Sequence, residues 1–487
     1  MDIKLDPKSK TPIYVQLANR IKAHIQKGTL VQGVSLPSER ALAKMLGIHR
    51  NTVVKAYNEL KAEEYVESRQ GVRYRVAVGK AEIDKMPGKP KKVNWLHEIK
   101  DEFINREKAY DNLFQRYSDE KKCSLSSGVS MPGIYDKNDI AGDIANIISD
   151  EGKQQYFYSP YKGDESLRQQ IVSFLSTKGI SASMGEIQVV TEANQAIDFV
   201  TNLLIAPGDA VILSEPVSPD TYKTLELSDA KIFTVPVNEE GIDIVALSNI
   251  IESVRPKALF VDSSFQDPTG TCISNESRRK LIRLSNRYRV PIIEVDAASE
   301  LFYEDGQVTP VKALDTLDNV IYIYSFSLTF VPGLSLAFIV ANKEVIRSLS
   351  YLVSVRFVAT DWVTQKLMAK YLEDGTYYGN IEKFRTNYLK KRDIVCAALD
   401  EMRDSGISYL KPKGGVYVWC RLPEGTDSRD FVKKAYADGL VLIPGYIFYP
   451  FKNGGRDYVR INYSYEGEDK IREGMEIFKK TLLAYEF

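Results

Sequence analysis

The sequence predicts a chain of two unlike parts, a small α+β domain of the winged helix-turn-helix kind and a large α/β domain built on a mostly parallel sheet. Three observations predict it. Residues 1–76 place short one-sided helices around a glycine turn and end in an alternating run with a turn at its centre. Beyond Tyr156, β-rich runs alternate with helical stretches. Charge is divided unevenly: Lys+Arg minus Asp+Glu is 14 − 7 = +7 over residues 1–76, 11 − 9 = +2 over 77–122 and 40 − 49 = −9 over 123–487. A basic small domain joined to an acidic large one points to a nucleic-acid reader attached to a domain that reads something else.

The remaining bulk properties narrow the class. At 487 residues the chain exceeds one ordinary core, so several domains are expected. No apolar run approaches the roughly 20 residues of a membrane span, and MDIKLDPKSK lacks the pattern of a signal peptide. Cys123, Cys272, Cys396 and Cys420 are far apart and show no metal or disulfide spacing. A reducing cytoplasm and no membrane partner are expected.

Thr11-Pro12 reads as a helix start, the threonine hydroxyl capping a proline at the first position. Ile13, Leu17, Ile21 and Ile25 then form one apolar face that ends near Gly28. Ser38 caps a second helix with Leu42 and Leu46 inward, and Gly47 breaks it. A third helix runs from about Arg50 to Glu63, burying Val53, Tyr57 and Leu60. Tyr65 to Val76 alternates around Gln70-Gly71, as a β-hairpin wing does.

The stretch LPSERALAKMLGIHRNTVVKAYNELKAEEYV resembles the GntR-type winged helix across nearly its whole length. The resemblance implies double-stranded operator DNA as partner. It puts Ser38, Arg40, His49, Arg50, Asn51 and Thr52 at the DNA, and Gln70 and Gly71 at the wing tip near the minor groove. Arg50 can fork onto a guanine edge, whereas Thr52 and Ser38 suit phosphates. His49, one of three histidines, has no acid-base or metal partner nearby in sequence and reads as a turn residue beside the DNA.

Residues 77–122 read as a tether. Gly79, Pro87, Gly88 and Pro90 among lysines form a flexible connector, and Asn94 to Lys121 scatters apolar residues among dense charge as packed helical segments.

From residue 123 the strands expected are Gln188–Thr191, Ala210–Ser214, Ile232–Val235, Ala258–Asp262, Ile292–Val295, Asn319–Tyr324 and Leu336–Ala341. Ligands on such sheets bind at loops beyond strand ends. The segments TEANQAIDF, SEPVSPDTY, SSFQDPTG, IIEVDAASE, SFSLTFVPGL, KGGVYVW, IPGYIFY and VRINYS, in that order, resemble the fold-type I aminotransferase domain of MocR regulators. That implies a large subdomain over about 160–370 and a smaller C-terminal α/β subdomain over about 371–487. It also implies pyridoxal phosphate as the family cofactor.

The same resemblance marks positions where the cofactor contacts are missing. Leu328 stands where the family has the imine-forming lysine, and Ser335 where it has the phosphate arginine. Val295 replaces the aspartate at the pyridine nitrogen, Ala297 the tyrosine at the ring hydroxyl and Ser218 a pocket aromatic. Asp296 is one residue off, and alternation along a strand aims it to the other face. Glu192 brings a carboxylate to a helix start suited to a phosphate. Without the lysine nucleophile and the protonated pyridine, transamination has no side chains to perform it. The expectation is therefore no enzyme activity and no bound pyridoxal phosphate. The alternative is a cofactor-dependent MocR regulator or aminotransferase that binds pyridoxal phosphate despite the missing lysine.

Arg460 matches the family arginine that forks onto a substrate carboxylate, its other role being an ion pair with a nearby Asp or Glu. With Asn194, Gln195, Gln266, Ser325 and Ser327 it forms the candidate effector set, for a small carboxylate or amine. The resemblance implies a homodimeric transcription regulator whose large domain dimerises and senses a small molecule. A ligand-free dimerisation scaffold is the other reading.

Overall fold

The computed structural model describes residues 3–485 apart from 4, 8, 10, 69–73, 78–121, 127, 131–132, 151–157, 305 and 358. The chain divides into two compact units, Met1–Asn105 and Arg106–Phe487. The boundary falls inside the expected tether, whose residues 78–121 lie outside the described residues.

In the first unit, helices α1 (Ile13–Gln26), α2 (Glu39–Leu46) and α3 (Arg50–Ala62) precede strands β1 (Val66–Glu67) and β2 (Arg75–Val76), paired antiparallel. The i, i+4 spacing of Leu17 and Ile21 packs α1 against Val53, Tyr57 and Leu60 of α3 and Leu42 of α2. Ser38 caps α2 by accepting from the Ala41 N–H, and Gly47 ends it at φ 64°. The Thr11 cap is not formed: Pro12 occupies the cap position of α1 without a side-chain bond, and the Thr11 carbonyl accepts from Gln16 instead. A proline at the cap already supplies the extended backbone that a capping hydroxyl would stabilise.

The second unit opens with a short strand, β3 (Cys123–Ser124), that pairs with Leu440–Val441, and is built on an eight-stranded sheet. The sheet's strands are β4 (Ile187–Val190), β5 (Ala210–Glu215), β6 (Lys231–Asn238), β7 (Gly241–Ile242), β8 (Ala258–Asp262), β9 (Ile292–Asp296), β10 (Val320–Ser325) and β11 (Ala337–Val340), in the order β4-β11-β10-β9-β8-β5-β6-β7. β10, β9, β8, β5 and β6 run parallel; β11 is antiparallel to both β10 and β4, and β7 to β6. Apolar clusters lie on both faces, so the central strands read as continuous hydrophobic runs. The smaller subdomain is a four-stranded sheet that includes Tyr417–Arg421 and Tyr458–Asn462, packed on the helices Thr376–Asp400 and Glu468–Leu483.

Glu294, in the middle of β9, ties strands to a covering helix. Its fully buried carboxylate accepts from the Val311 and Lys312 N–H groups at 2.8 Å each and from Ser263 Oγ, and lies 3.8 Å from Arg278. Burial pushes its pKa up, against the pull of Arg278. Removing one partner of such a pair strands the other charge. Glu294→Ala is therefore expected to lower stability by about 3–5 kcal/mol, read from the urea midpoint of the large domain.

Candidate functional site

Helix α3 buries Val53, Ala56, Tyr57 and Leu60 in the core that it shares with α1 and α2, and presents its first turn to solvent. Arg50 and Asn51 are exposed there, as are His49, Arg40 and Ser38 beside them, whereas Thr52 is half-buried. His49 acts locally, its Nδ1 accepting from the Asn51 N–H at 3.3 Å to cap α3. Arg50 is held by Glu39, with Nε at 3.1 Å and Nη2 at 2.8 Å from Oε2. Its side chain is 52% exposed, and such surface pairs are worth about 0–1 kcal/mol, so a stronger acceptor displaces Glu39 at little cost. Gln70 and Gly71 lie outside the described residues.

In the large domain the C-terminal ends of the parallel strands open into a cleft of about 390 Å³. Each strand end delivers part of the lining: Glu192, Ala193 and Asn194 after β4; Ser214 and Ser218 at β5; Asp262, Phe265 and Asp267 at β8; Val295, Ala297 and Ala298 at β9; Ser325, Ser327 and Leu328 at β10. Tyr417 closes it from the smaller subdomain. This is where open α/β sheets bind ligands.

One corner of the cleft is already bonded internally. The helix Ala193–Leu204 starts at Glu192, whose Oε1 accepts from the Ala193 N–H at 3.0 Å. Ser325 Oγ donates to the same oxygen at 2.8 Å, and Ser327 Oγ donates to Oε2. A helix N-terminus and two hydroxyls thus converge on one carboxylate.

Alternation along β9 behaves as the sequence implies. Val295 faces the cleft, while Asp296 is fully buried on the other side, accepting from Tyr322 Oη at 2.6 Å and the Ser299 N–H at 2.9 Å. Leu328 is 6% exposed and belongs to the apolar cluster that contains Phe265 and Ala298.

Four expected positions are not in the cleft. Arg460 takes the ion-pair role: Nη1 lies 2.7 and 2.8 Å from the two Asp267 oxygens, and Nη2 donates to the Ser126 carbonyl at 2.7 Å. Asp267 thus occupies the fork that a ligand carboxylate would take. Gln195 accepts from the Thr191 N–H and hydroxyl, and Gln266 is buried, donating to Ser214 and the Pro216 carbonyl; both brace turns. Ser335 is exposed and donates to the Pro332 carbonyl. The main residue that sequence reasoning misses is Asp262. A carboxylate closing a strand of a parallel sheet is the available signal; the residue is half-buried and the burial of its Oδ1 is a tertiary property.

The profile for aminotransferases of class I and II matches residues 137–477, more than half the chain. The chain belongs to that family. Residues 13–76 match the profile of the gntR family of bacterial regulatory proteins, and the two together form the arrangement of MocR-type regulators. The aromatic-amino-acid aminotransferase 1 of Thermococcus litoralis is 27% identical over 74% of this chain and 87% of its own. The HTH-type transcriptional regulator YdfD of Bacillus subtilis is 26% identical over 96% of this chain and 95% of its own, heads included. The α-aminoadipate aminotransferase LysN of Thermus thermophilus superposes with a TM-score of 0.74 at 26% identity, covering 80% of this chain and 99% of that one. The chain is thus a GntR-type DNA-binding regulator fused to an aminotransferase-like domain. Among the described residues no helix is long and apolar enough to cross a membrane.

Two outcomes test the cleft's electrostatics. Burial holds the Asp262 carboxyl well above the ordinary range, and the nearby Asp296 and Asp267 charges add to it. A pKa raised on folding gives a contribution that is intact below about pH 4 and lost as pH rises through the folded value. Asp262→Asn is expected to be more stable than the parent at pH 8, with the gap closing toward pH 4, as read by urea denaturation at both. Arg460→Met leaves Asp267 unpaired and is expected to cost about 3–5 kcal/mol in the same assay, a loss that Asp267→Asn in the same chain largely restores.

Proposed function

We propose that the aminotransferase-like domain works without pyridoxal phosphate, as a dimerisation and small-molecule sensing module that sets the arrangement of two DNA-binding heads. The observation that carries this reading is the Glu192 carboxylate, bonded to Ala193, Ser325 and Ser327 where the cofactor phosphate would need those same donors. The side chains present do not fit the cofactor. Leu328 offers no nucleophile, Val295 no charge for a ring nitrogen, Ala297 no hydroxyl, and Ser335 is bonded to its own turn. A charge-assisted hydrogen bond contributes about 1.5–3 kcal/mol, so the loss of several removes most of the basis for tight binding.

The retained cleft supports a sensing role: a pocket of this size suits a small ligand. A ligand shifts the heads if it binds one arrangement more tightly than the other. Two heads on a two-fold dimer would read two half-sites of a cytoplasmic operator. Within each head Arg40, Arg50 and Asn51 present polar groups to DNA, with Ser38 and Thr52 toward phosphates.

Titration of the purified full-length protein with pyridoxal phosphate, followed by borohydride reduction and intact mass, tests the reading. The expected result is no protein-bound absorbance and no added mass. A reducible adduct on any lysine would overturn it. For the heads, Arg50→Ala is expected to weaken operator binding by about 1–3 kcal/mol and to relax preference at one base pair per half-site, measured by gel shift at fixed salt.

A further inference from the structure

We propose that the cleft selects a small organic cation, an amine or guanidine on an apolar body, and that Glu192 sets this choice by holding the anion position itself. The proposal rests on the cofactor-free reading above and adds the charge class of the ligand. Every charged side chain among the described lining residues is acidic: Glu192, Asp220, Asp262 and Asp267. Asp267 is neutralised by Arg460, and Glu192 is bonded to the helix start and two serines. Asp220 is exposed, and Asp262 is not matched in this way.

Asp262 supplies the observation that asks for a ligand. Its Oδ2 accepts from the Asp267 N–H at 3.2 Å, but its Oδ1, with less than 1 Å² exposed, has no hydrogen-bond partner. An unpaired buried acceptor costs about 1–3 kcal/mol, more when charged, and a donor from the ligand would relieve it. A cationic donor gains twice, from the hydrogen bond and from the surplus negative charge. An anion gains neither, because both helix starts among the described lining residues already carry an acidic side chain, Glu192 before the helix Ala193–Leu204 and Asp220 in the first turn of the helix Pro219–Leu227. Phe260, Phe265, Leu328 and Tyr417 supply an apolar wall for the ligand body.

Three probes that share a phenyl ring separate the charge classes: 2-phenylethylamine, 3-phenylpropanoate and phenyl phosphate, each titrated calorimetrically into the full-length protein. The amine is expected to bind at least tenfold more tightly than either anion. Asp262→Asn, a variant expected to fold, should weaken the amine tenfold or more. Glu192→Ala should gain phenyl phosphate, since the Ala193 amide and the Ser325 and Ser327 hydroxyls are then free to take it. Absence of amine binding, equal binding of the three probes, or unchanged amine affinity in Asp262→Asn would overturn the assignment. A pyridoxal-phosphate adduct in the parent protein strikes the cofactor-free reading, whereas indifference to probe charge in a protein without that adduct strikes this inference alone.

Discussion

The structure of the cleft depends on one contact, the carboxylate of Glu192 seated between the start of the helix Ala193–Leu204 and the hydroxyls of Ser325 and Ser327. The donors come from β4's following helix and from the end of β10, which are separated in the sheet by β11 alone. A side-chain oxygen there accepts at the helix's partly positive start and satisfies hydroxyls that would otherwise need a ligand or water. The chain thereby carries its own anion.

A second internal pairing acts across the cleft. Arg460, on a strand of the smaller subdomain, clamps Asp267 of the large subdomain's β8 loop and also reaches the Ser126 carbonyl. Three separate stretches of chain meet at one guanidinium. A group that the family resemblance assigns to a ligand thus works as a cross-brace, and burial raises the Asp267 pKa even against the arginine's pull. Among the described lining residues, Asp262 then has a buried side-chain oxygen without a hydrogen-bond partner.

Much of this architecture is legible in the sequence because it follows local periodicity. The strand expected over Ala258–Asp262 has those same ends, and β9 runs one residue beyond the expected Val295, which places the fully buried Asp296 on the strand itself. Ser38 and Gly47 delimit α2 as their chemistry dictates. The expectation for Arg460 failed on a partner distant in sequence, whereas those for Thr11 and Gln195 failed on near ones, Pro12 and Thr191. Nothing near Arg460 announces Asp267, 193 positions earlier, and nothing near Gln195 or Gln266 distinguishes a turn brace from a ligand contact. His49 sits at the turn as its place in the chain implies, and its capping bond to the Asn51 N–H is the reason a histidine suits that position.

The most direct test is a crystal structure of the full-length protein grown from concentrated phosphate. The expected density at the start of the helix Ala193–Leu204 is the Glu192 carboxylate within hydrogen-bond reach of Ser325 and Ser327, with no phosphate beside it. A phosphate ion held by the Ala193 amide and those hydroxyls, with Glu192 turned out of the cleft, would contradict the account at its foundation.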